Sequence, residues 1–274
     1  MNQYAVWGNP IAQSKSPRIH QLFGLQTQRE IEYIAKLGDE IAFEQQLAEF
    51  FNSGAKGCNI TAPFKERAFT VADEYSESCL LAEACNTLKR LDDGRLYADN
   101  TDGKGLAVDL DRLGWLKAGQ KTLILGAGGA TKGVLLPLLQ AGLEITIYNR
   151  TVDKAVILAE KFARFGKIQT ACLEDLAGRQ FDLIINATSL GLQGKYVELP
   201  VSLMASAKIY DMQYAVNMQT PFLNYARDCG SIEYQDGLGM LVGQAAFAFA
   251  LWENKFPNIE PVLTQLKQEM QSVK

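Results

Sequence analysis

Leu123-Ile124-Leu125-Gly126-Ala127-Gly128-Gly129-Ala130 decides the fold when read with the segment downstream, Glu144-Ile145-Thr146-Ile147-Tyr148 and then Asn149-Arg150-Thr151. An apolar strand runs into a glycine turn, a helix follows, and a second strand ends in a polar, basic tripeptide. This is the outline of a βαβ unit that binds a dinucleotide. Gly126 permits the tight turn. Gly128 and Gly129 let the backbone approach a pyrophosphate, whose charge is stabilised by free N–H groups at the helix start. A site for NAD usually ends its second strand in Asp or Glu, which holds the ribose 2′-hydroxyl. Here Asn149 and Arg150 stand in that place, and no carboxylate occurs before Asp153. Arginine suits a 2′-phosphate, so the stretch predicts NADP(H). Thr131 replaces the third glycine of G-x-G-x-x-G. S-adenosylmethionine is a competing ligand for such a unit, although its ribose diol again favours an acid. Arg150 as a plain solvated charge stays open at this point.

Composition narrows the class. The chain has 274 residues, enough for one large or two medium domains, and 47% are apolar. Lys and Arg number 27 against 31 Asp and Glu, a net charge of −4 that argues against a nucleic-acid or acidic-membrane partner. No apolar run reaches the length of a membrane span. The N-terminal Met1-Asn-Gln-Tyr-Ala-Val-Trp7 reads as a buried strand rather than a signal peptide, and the expectation is a cytoplasmic protein. Five cysteines without a C-x-x-C pair point to reduced thiols. His20 is the single histidine, so no Cys/His cluster for a zinc site exists and no metal is expected. His20 is predicted to have a packing or surface role, and any proton transfer proceeds without histidine.

The nucleotide motif begins only near residue 121, so a domain-sized segment precedes it. There the pattern predicts strands at 4–7, 31–37 and 57–60 and helices at 17–25, 41–52 and 64–75. A hairpin of 88–91 and 95–98 turns on Asp92-Asp93-Gly94, and a helix at 105–113 follows. Beyond Arg150 the alternation continues with helix 152–165, strands 168–171, 181–186 and 208–210, and helices 221–229, 238–255 and 259–271. Pro137 is expected to kink the helix after the glycine turn or shift its register.

Asn59-Ile-Thr61-Ala-Pro63-Phe-Lys65 is the sharpest motif before the nucleotide unit. Pro63 suits a first helical position, which places Lys65 in the first turn. A cation there opposes the helix dipole by about 0.3–1 kcal/mol, which favours proton transfer. A solvated lysine beside Glu66 and Arg67 is the plainer alternative. Asn59-x-Thr61 also matches a glycosylation acceptor, a reading that fails without secretion. Asp99-Asn100-Thr101-Asp102-Gly103 opens the next helix. Capping needs only one of its polar residues, which leaves Asp102 able to share a proton with Lys65. Ser14-Lys15-Ser16-Pro17 offers two hydroxyls near free N–H groups, suited to a small carboxylate or to plain N-capping. Asn86, Thr87 and Gln244 add neutral groups of the kind that orient a polyol.

Together these motifs resemble the shikimate dehydrogenase family, and they do so over essentially the whole chain. The matching pieces include Gly8-Asn-Pro-Ile with Ser14-Lys-Ser-Pro17, Asn59-x-Thr-x-Pro-Phe-Lys65, Cys85-Asn86-Thr-Leu and Asn100-Thr-Asp102-Gly. They continue with Gly126-Ala-Gly-Gly-Ala130, Asn149-Arg-Thr151, Asn186-Ala-Thr-Ser189, Tyr210-Asp-Met, Thr220-Pro-Phe and Asp236-Gly-Leu-Gly-Met-Leu-Val-Gly-Gln244. The resemblance implies two α/β domains with a cleft between them. Residues 1–101 and 238–274 would form the substrate domain, and 102–237 a Rossmann-like NADP domain. It also implies NADPH-dependent, reversible reduction of 3-dehydroshikimate to shikimate, on the route through chorismate to aromatic amino acids. Carried over, Ser14 and Ser16 would bind the substrate carboxylate. Thr61, Lys65, Asn86, Asp102 and Gln244 would hold the ring oxygens, with Tyr214 closing the site. Lys65 and Asp102 would be the catalytic proton-transfer pair.

On the cofactor side, Gly126, Gly128, Gly129 and Ala130 would cradle the pyrophosphate. Asn149, Arg150 and Thr151 would grip the 2′-phosphate, and Thr188, Met212 and Gly237 would line the nicotinamide. Departures are Gln13 where histidine is common, Ala62 for a usual valine, and no basic residue in 215–219. The family implies a small-molecule substrate and a monomer or homodimer. Two rivals remain: a quinate/shikimate dehydrogenase of broader specificity, which an acid at Thr151 would have favoured, and a non-catalytic NADP(H)-binding regulator. The regulator's expected mark is loss of Lys65 or Asp102, and both are present.

Overall fold

The computed structural model describes residues 1–272. The chain divides into two compact units, one of Met1–Gly105 with Val242–Leu266, the other of Leu106–Leu241 with the described residues from Lys267 onward. Asp102 therefore falls in the first unit.

The first unit is built on β1 (Asn2–Gly8), β2 (Ile31–Leu37), β3 (Gly57–Ile60), β4 (Glu74–Tyr75), β5 (Thr87–Arg90) and β6 (Leu96–Asp99). The sheet order is β2-β1-β3-β5-β6-β4. β1 runs parallel to β2 and β3, whereas β5 is antiparallel to β3 and β6. Its helices are α1 (Ser16–Thr27), α2 (Phe43–Asn52), α3 (Lys65–Thr70) and α4 (Glu77–Ala82), and α5 (Asp102–Arg112) leads out of it. β1 is an interior strand, paired on both sides and mostly buried, so it reads as an apolar run rather than an alternation. α2 buries Phe43, Leu47, Phe50 and Phe51, a stripe at helical spacing. Phe43 and Phe50 meet the Trp7 ring edge-on at 6.2 and 5.8 Å, and Phe43 stacks on Phe64 at 4.3 Å. Each such buried ring contributes about 1.5–3 kcal/mol over an exposed one. This packing fixes the ends of β1 and β3, from which the polar residues described below project.

The second unit carries β7 (Lys121–Leu125), β8 (Glu144–Tyr148), β9 (Ile168–Ala171), β10 (Leu183–Asn186), β11 (Lys208–Asp211) and β12 (Tyr234–Asp236), all parallel. Their order, β12-β11-β10-β7-β8-β9, reverses between β7 and β10. In a doubly wound sheet that reversal marks the ligand crevice. This unit's helices are α6 (Gly129–Gln140), α7 (Val152–Phe162), α8 (Val201–Ser206) and α9 (Pro221–Asp228); the chain then returns to the first unit within α10 (Leu238–Glu253), and most of α11 (Ile259–Ser272) lies there too. No helix among the described residues is long and apolar enough to cross a membrane.

Several expectations need correction. The helix predicted over 64–75 ends at Thr70, and Glu74–Tyr75 instead pairs with Tyr97 and Ala98 of β6. Pro63 is not a first helical residue. The Ala62–Pro63 bond is cis, and α3 begins only at Lys65. Helix 152–165 is α-helical to Phe162 and closes with a 3-10 turn at Ala163–Phe165. The chain also forms α4, α8 and β12, none of which was predicted. α6 runs unbroken from Gly129 to Gln140 with Pro137 inside it.

Candidate active site

β3 ends at Ile60, and the Thr61 N–H donates to the Trp7 carbonyl at 2.8 Å before the chain turns into α3. This turn presents Lys65. Its Nζ lies 2.6 Å from Asp102 Oδ2, at the start of α5, with side-chain exposures of 32% and 13%. The ammonium is thus reachable from solvent while its carboxylate partner is largely enclosed. Asp102 is freed for this contact because its neighbours do the local work. Asn100 Oδ1 accepts the Asp102 N–H at 3.2 Å, and Asp99 pairs with Ser76 Oγ (2.5 Å) and Lys104 Nζ (2.7 Å).

Asn86 organises the cluster. Its Nδ2 donates to Asp102 Oδ1 (2.8 Å) and Thr101 Oγ1 (2.9 Å) and approaches Gln244 Oε1 of α10 at 3.3 Å. Its Oδ1 accepts the Thr101 N–H and the Thr87 hydroxyl, both at 2.8 Å. Asn86, Thr87 and Thr101 are buried, so these bonds hold each side chain in one orientation.

A second row lies behind Asn86. Asn59 Nδ2 donates to the Asn86 carbonyl (3.1 Å) and to Thr87 Oγ1 (3.0 Å), and Asn59 Oδ1 accepts the Tyr33 hydroxyl at 2.7 Å. Burial lifts the Tyr33 phenol well above its usual range, against an opposing hydrogen bond with Ser16. Tyr33 stacks at 4.1 Å on His20, which is fully buried among Phe23, Phe249 and Trp252. Burial pushes His20 down to about 3, with Asn59 pulling weakly the other way. Of the packing or surface roles predicted for His20, the structure shows packing.

Ser16 is buried and Ser14 half-buried, at the start of α1. Of the two readings given for them, N-capping is not formed: Lys15 holds the N-cap position, no side chain caps the helix, and the Ser14 hydroxyl instead accepts the Ser16 N–H at 3.3 Å. Thr61 is half-buried, and its methyl sits where a Gly8 side chain would otherwise be. Asn59, Thr101 and Tyr33 were not singled out from sequence as parts of this site. An asparagine inside the apolar Gly57-Cys-Asn-Ile60 strand was the one available signal.

In the second unit, Gly126 follows β7 with φ of +105°, and a side chain there would press on Ala187 and Thr188 at 3.3–3.4 Å. Gly128, Gly129 and Ala130 are exposed, nothing lies within 4 Å of a Cβ added at either glycine, and α6 starts with no side-chain cap. Its first N–H groups are therefore open to an anion. Thr131, in the third-glycine position, is buried and donates to the Gly126 carbonyl at 2.8 Å, tying the turn to the helix. Asn149 Oδ1 accepts the Ala127 N–H (3.1 Å) and its Nδ2 donates to the Thr151 carbonyl (2.7 Å). Arg150 and Thr151 are exposed, and no hydrogen bond or ion pair holds the Arg150 guanidinium among the described residues. Open amides, space at the glycines and an unpaired guanidinium fit a dinucleotide with a 2′-phosphate.

At the ends of β10 and β11 the Thr188 hydroxyl donates to Asn186 Oδ1 at 2.7 Å, and Asn186 Nδ2 donates to Asp211 Oδ1 at 2.9 Å. Burial raises the Asp211 carboxyl above its ordinary range, against hydrogen bonds from Thr220, Gln213 and Asn186. Gly237 is required by contact: a Cβ there would lie 2.2 Å from the Met212 carbonyl oxygen. Tyr214 lies beyond β11 and is half-buried, its phenol raised first by burial and then by Asp236.

Comparison with known proteins accounts for this arrangement. Residues 6–88 match the shikimate dehydrogenase substrate binding domain, 112–192 the shikimate / quinate 5-dehydrogenase family, and 237–267 the shikimate 5′-dehydrogenase C-terminal domain. The chain is 76% identical, over the full length of both, to a Shikimate dehydrogenase (NADP(+)) of Actinobacillus pleuropneumoniae serotype 5b. This chain belongs to the shikimate dehydrogenase family. Among solved structures, an Ael1 enzyme from Pseudomonas putida superposes with a TM-score of 0.91 at 43% identity, covering 97% of this chain and 98% of that one. A shikimate 5-dehydrogenase from Thermus thermophilus, solved with NADP(H) and shikimate, gives 0.85 at 32% identity, covering 98% and 99%. The shikimate dehydrogenase fold thus extends over both units, each matched by its own part of the family.

Proposed function

We propose that this chain catalyses the reversible, NADP-dependent reduction of 3-dehydroshikimate to shikimate, with Lys65 and Asp102 as its proton-transfer pair. The observation that carries the chemistry is the 2.6 Å contact between Lys65 Nζ and Asp102 Oδ2 beside the Asn86 amide. The curated relatives bear the name Shikimate dehydrogenase (NADP(+)), which supplies substrate and cofactor. We assign the substrate to the first unit and the cofactor to the second.

The bound cofactor supplies the hydride that reduces the carbonyl carbon. Lys65, as the ammonium, gives a proton to the carbonyl oxygen and offsets the negative charge that grows there. Asp102 fixes Nζ in place and holds a neighbouring ring hydroxyl. Asn86 and Gln244 orient the ring oxygens without adding charge. The Ser14 and Ser16 hydroxyls take the substrate carboxylate, Thr61 binds a further ring oxygen, and Tyr214 closes the site. Gly126, Gly128, Gly129 and Ala130 receive the pyrophosphate and Arg150 the 2′-phosphate, while Asn149 and Thr151 shape that end and Thr188, Met212 and Gly237 line the nicotinamide. A cytoplasmic setting belongs to the same reading, since Cys58, Cys79, Cys85 and Cys229 are buried free thiols.

The test is cofactor reduction with shikimate or quinate, each offered with NADP and NAD. Turnover confined to shikimate with NADP is expected. Comparable use of quinate and NAD would move the chain to the broader quinate/shikimate class. Tight cofactor binding with no turnover would make it a regulator.

A further inference from the structure

Asp109 of α5 is buried, and nothing in the reaction described above needs its charge. Its two oxygens have separate partners. Oδ1 takes the Arg112 guanidinium, 2.9 Å from Nε and 2.8 Å from Nη2, and Oδ2 accepts the Tyr210 hydroxyl at 2.7 Å. Tyr210 belongs to β11 and is fully buried. Burial lifts its phenol well above the ordinary range, the Asp109 charge adds to that, and the Met240 N–H opposes it by donating to the phenol oxygen. Met240 is the third residue of α10, so this N–H is one of the first-turn donors that its own helix cannot satisfy.

Carboxylate, phenol and amide thus form one row across α5, β11 and α10. Packing at α10 is just as close: a side chain at Gly239 would collide with the Asp109 carboxylate. An apolar set of the same volume would serve stability about as well, because desolvation of a buried ion pair takes back much of its attraction. What the row adds is direction, since each hydrogen bond restricts the placement of its partner. The row also borders the residues assigned to the nicotinamide. Met212 follows Tyr210 by two positions, and Gly237 precedes Met240 by three. Gly237 packs directly on the Met212 backbone, and its N–H donates to the Gln213 carbonyl at 2.9 Å. β11 leads into this contact and α10 leads away from it, with the Tyr210 hydroxyl joining the two.

We propose that Asp109 is a positioning residue for hydride transfer. Through the Tyr210 hydroxyl it locks the start of α10 to the end of β11, and so sets the Met212–Gly237 wall against which the nicotinamide lies. The proposal rests on the assignment of Met212 and Gly237 to the nicotinamide. A hydride passes only over a short, aligned path, so a small shift of that wall costs rate at the transfer step.

Tyr210→Phe keeps the ring and removes the hydroxyl, and Asp109→Asn keeps the shape and removes the charge. In the protein without ligand, hydrogen exchange over residues 237–241 should quicken at least about tenfold in Tyr210→Phe. Calorimetric titration should show NADPH bound about tenfold more weakly, and 2′-phospho-ADP-ribose, which lacks the nicotinamide, unchanged. The KM for 3-dehydroshikimate should stay put while kcat falls at least about tenfold. The isotope effect from NADPH deuterated at the transferred hydrogen should grow, as hydride transfer becomes limiting. Asp109→Asn should move each readout the same way by a smaller factor, and it stands alone should Tyr210→Phe not fold. Met212→Ala probes the lining itself: it too should weaken NADPH and spare the fragment. Exchange equal to wild type, or kcat and isotope effect unchanged in a folded variant, overturns the role of Asp109 and leaves the lining intact. If Met212→Ala weakens both ligands alike or neither, the nicotinamide assignment is at fault and the proposal falls with it.

Discussion

The polar groups around Lys65 and those around the glycine turn follow opposite rules. In the first unit the side chains hold one another: Asn86 alone binds Asp102, Thr101 and Thr87, and Asn59 braces it from behind. In the second, Gly128, Gly129, Ala130 and Arg150 stand open, and mainly Thr131 and Asn149 tie the turn down. A reaction that moves a proton needs atoms placed before the substrate arrives, because misplacement costs rate directly. On the proposed reading the second cluster waits for phosphates, whose charge itself completes the bonding of the open amides and the guanidinium.

That contrast is open to attack, most strongly at Lys65. Lys65→Ala should lower kcat by about 10²–10⁴ with little change in KM, as steady-state kinetics would show. A folded variant with near-normal kcat would falsify the lysine's role. Asn86→Ala leaves the buried Thr101 N–H without its partner and Asp102 Oδ1 without its amide donor, and should cost about 1–3 kcal/mol in urea unfolding. Its KM for shikimate should rise while that for NADP stays put. Equal damage to both would mean the two regions are less independent than their bonding indicates. Arg150→Ala should weaken NADPH about tenfold, leave NADH unchanged, and alter stability by less than about 0.5 kcal/mol. An unchanged cofactor preference would pass the 2′-phosphate to other groups.

The smallest effect is a difference in acid response. His20 in the fold is held near 3, below its ordinary value, so the unfolded chain takes up the proton first. Its contribution is complete above about 6.5 and declines as pH falls, by at most about 1.4 kcal/mol per pH unit. Asp211 and Asp236 are shifted the other way, chiefly by burial, so their contribution is present in acid and is lost as pH rises through their folded values. Hydrogen exchange at pH 7 and pH 5 should show protection falling more in the first unit than in the second. His20→Phe should remove the first unit's share, and an unaltered acid response in that variant would put the cause elsewhere.

Much of the fold could be read from residues alone. The strands at 31–37, 57–60, 144–148 and 168–171 stand where the apolar pattern placed them, because each is bounded by local turn chemistry. The over-long helix at 64–75 failed for a non-local reason: Glu74 and Tyr75 follow their pairing with β6, which outweighs helical periodicity. The same limit applies to the site. Lys65, Asp102, Asn86 and Gln244 were visible as residue types within motifs. That Asn86 and Gln244 meet, although 158 positions apart, depends on how α10 returns to the first unit. Asn59 and Thr101 were hidden for a related reason, since a buried amide in a strand declares its purpose only once its partners are known.

The Asn149 side chain bridges the turn after β7 and the segment after β8, with one bond to each. It works as a crossbar between the glycine turn and the segment that carries Arg150. A ligand with an anionic group at each end of the crossbar meets a frame already joined, so its second contact follows the first with little further ordering. On the proposed reading, discrimination against a cofactor with only one of those groups would come from distance as well as from charge.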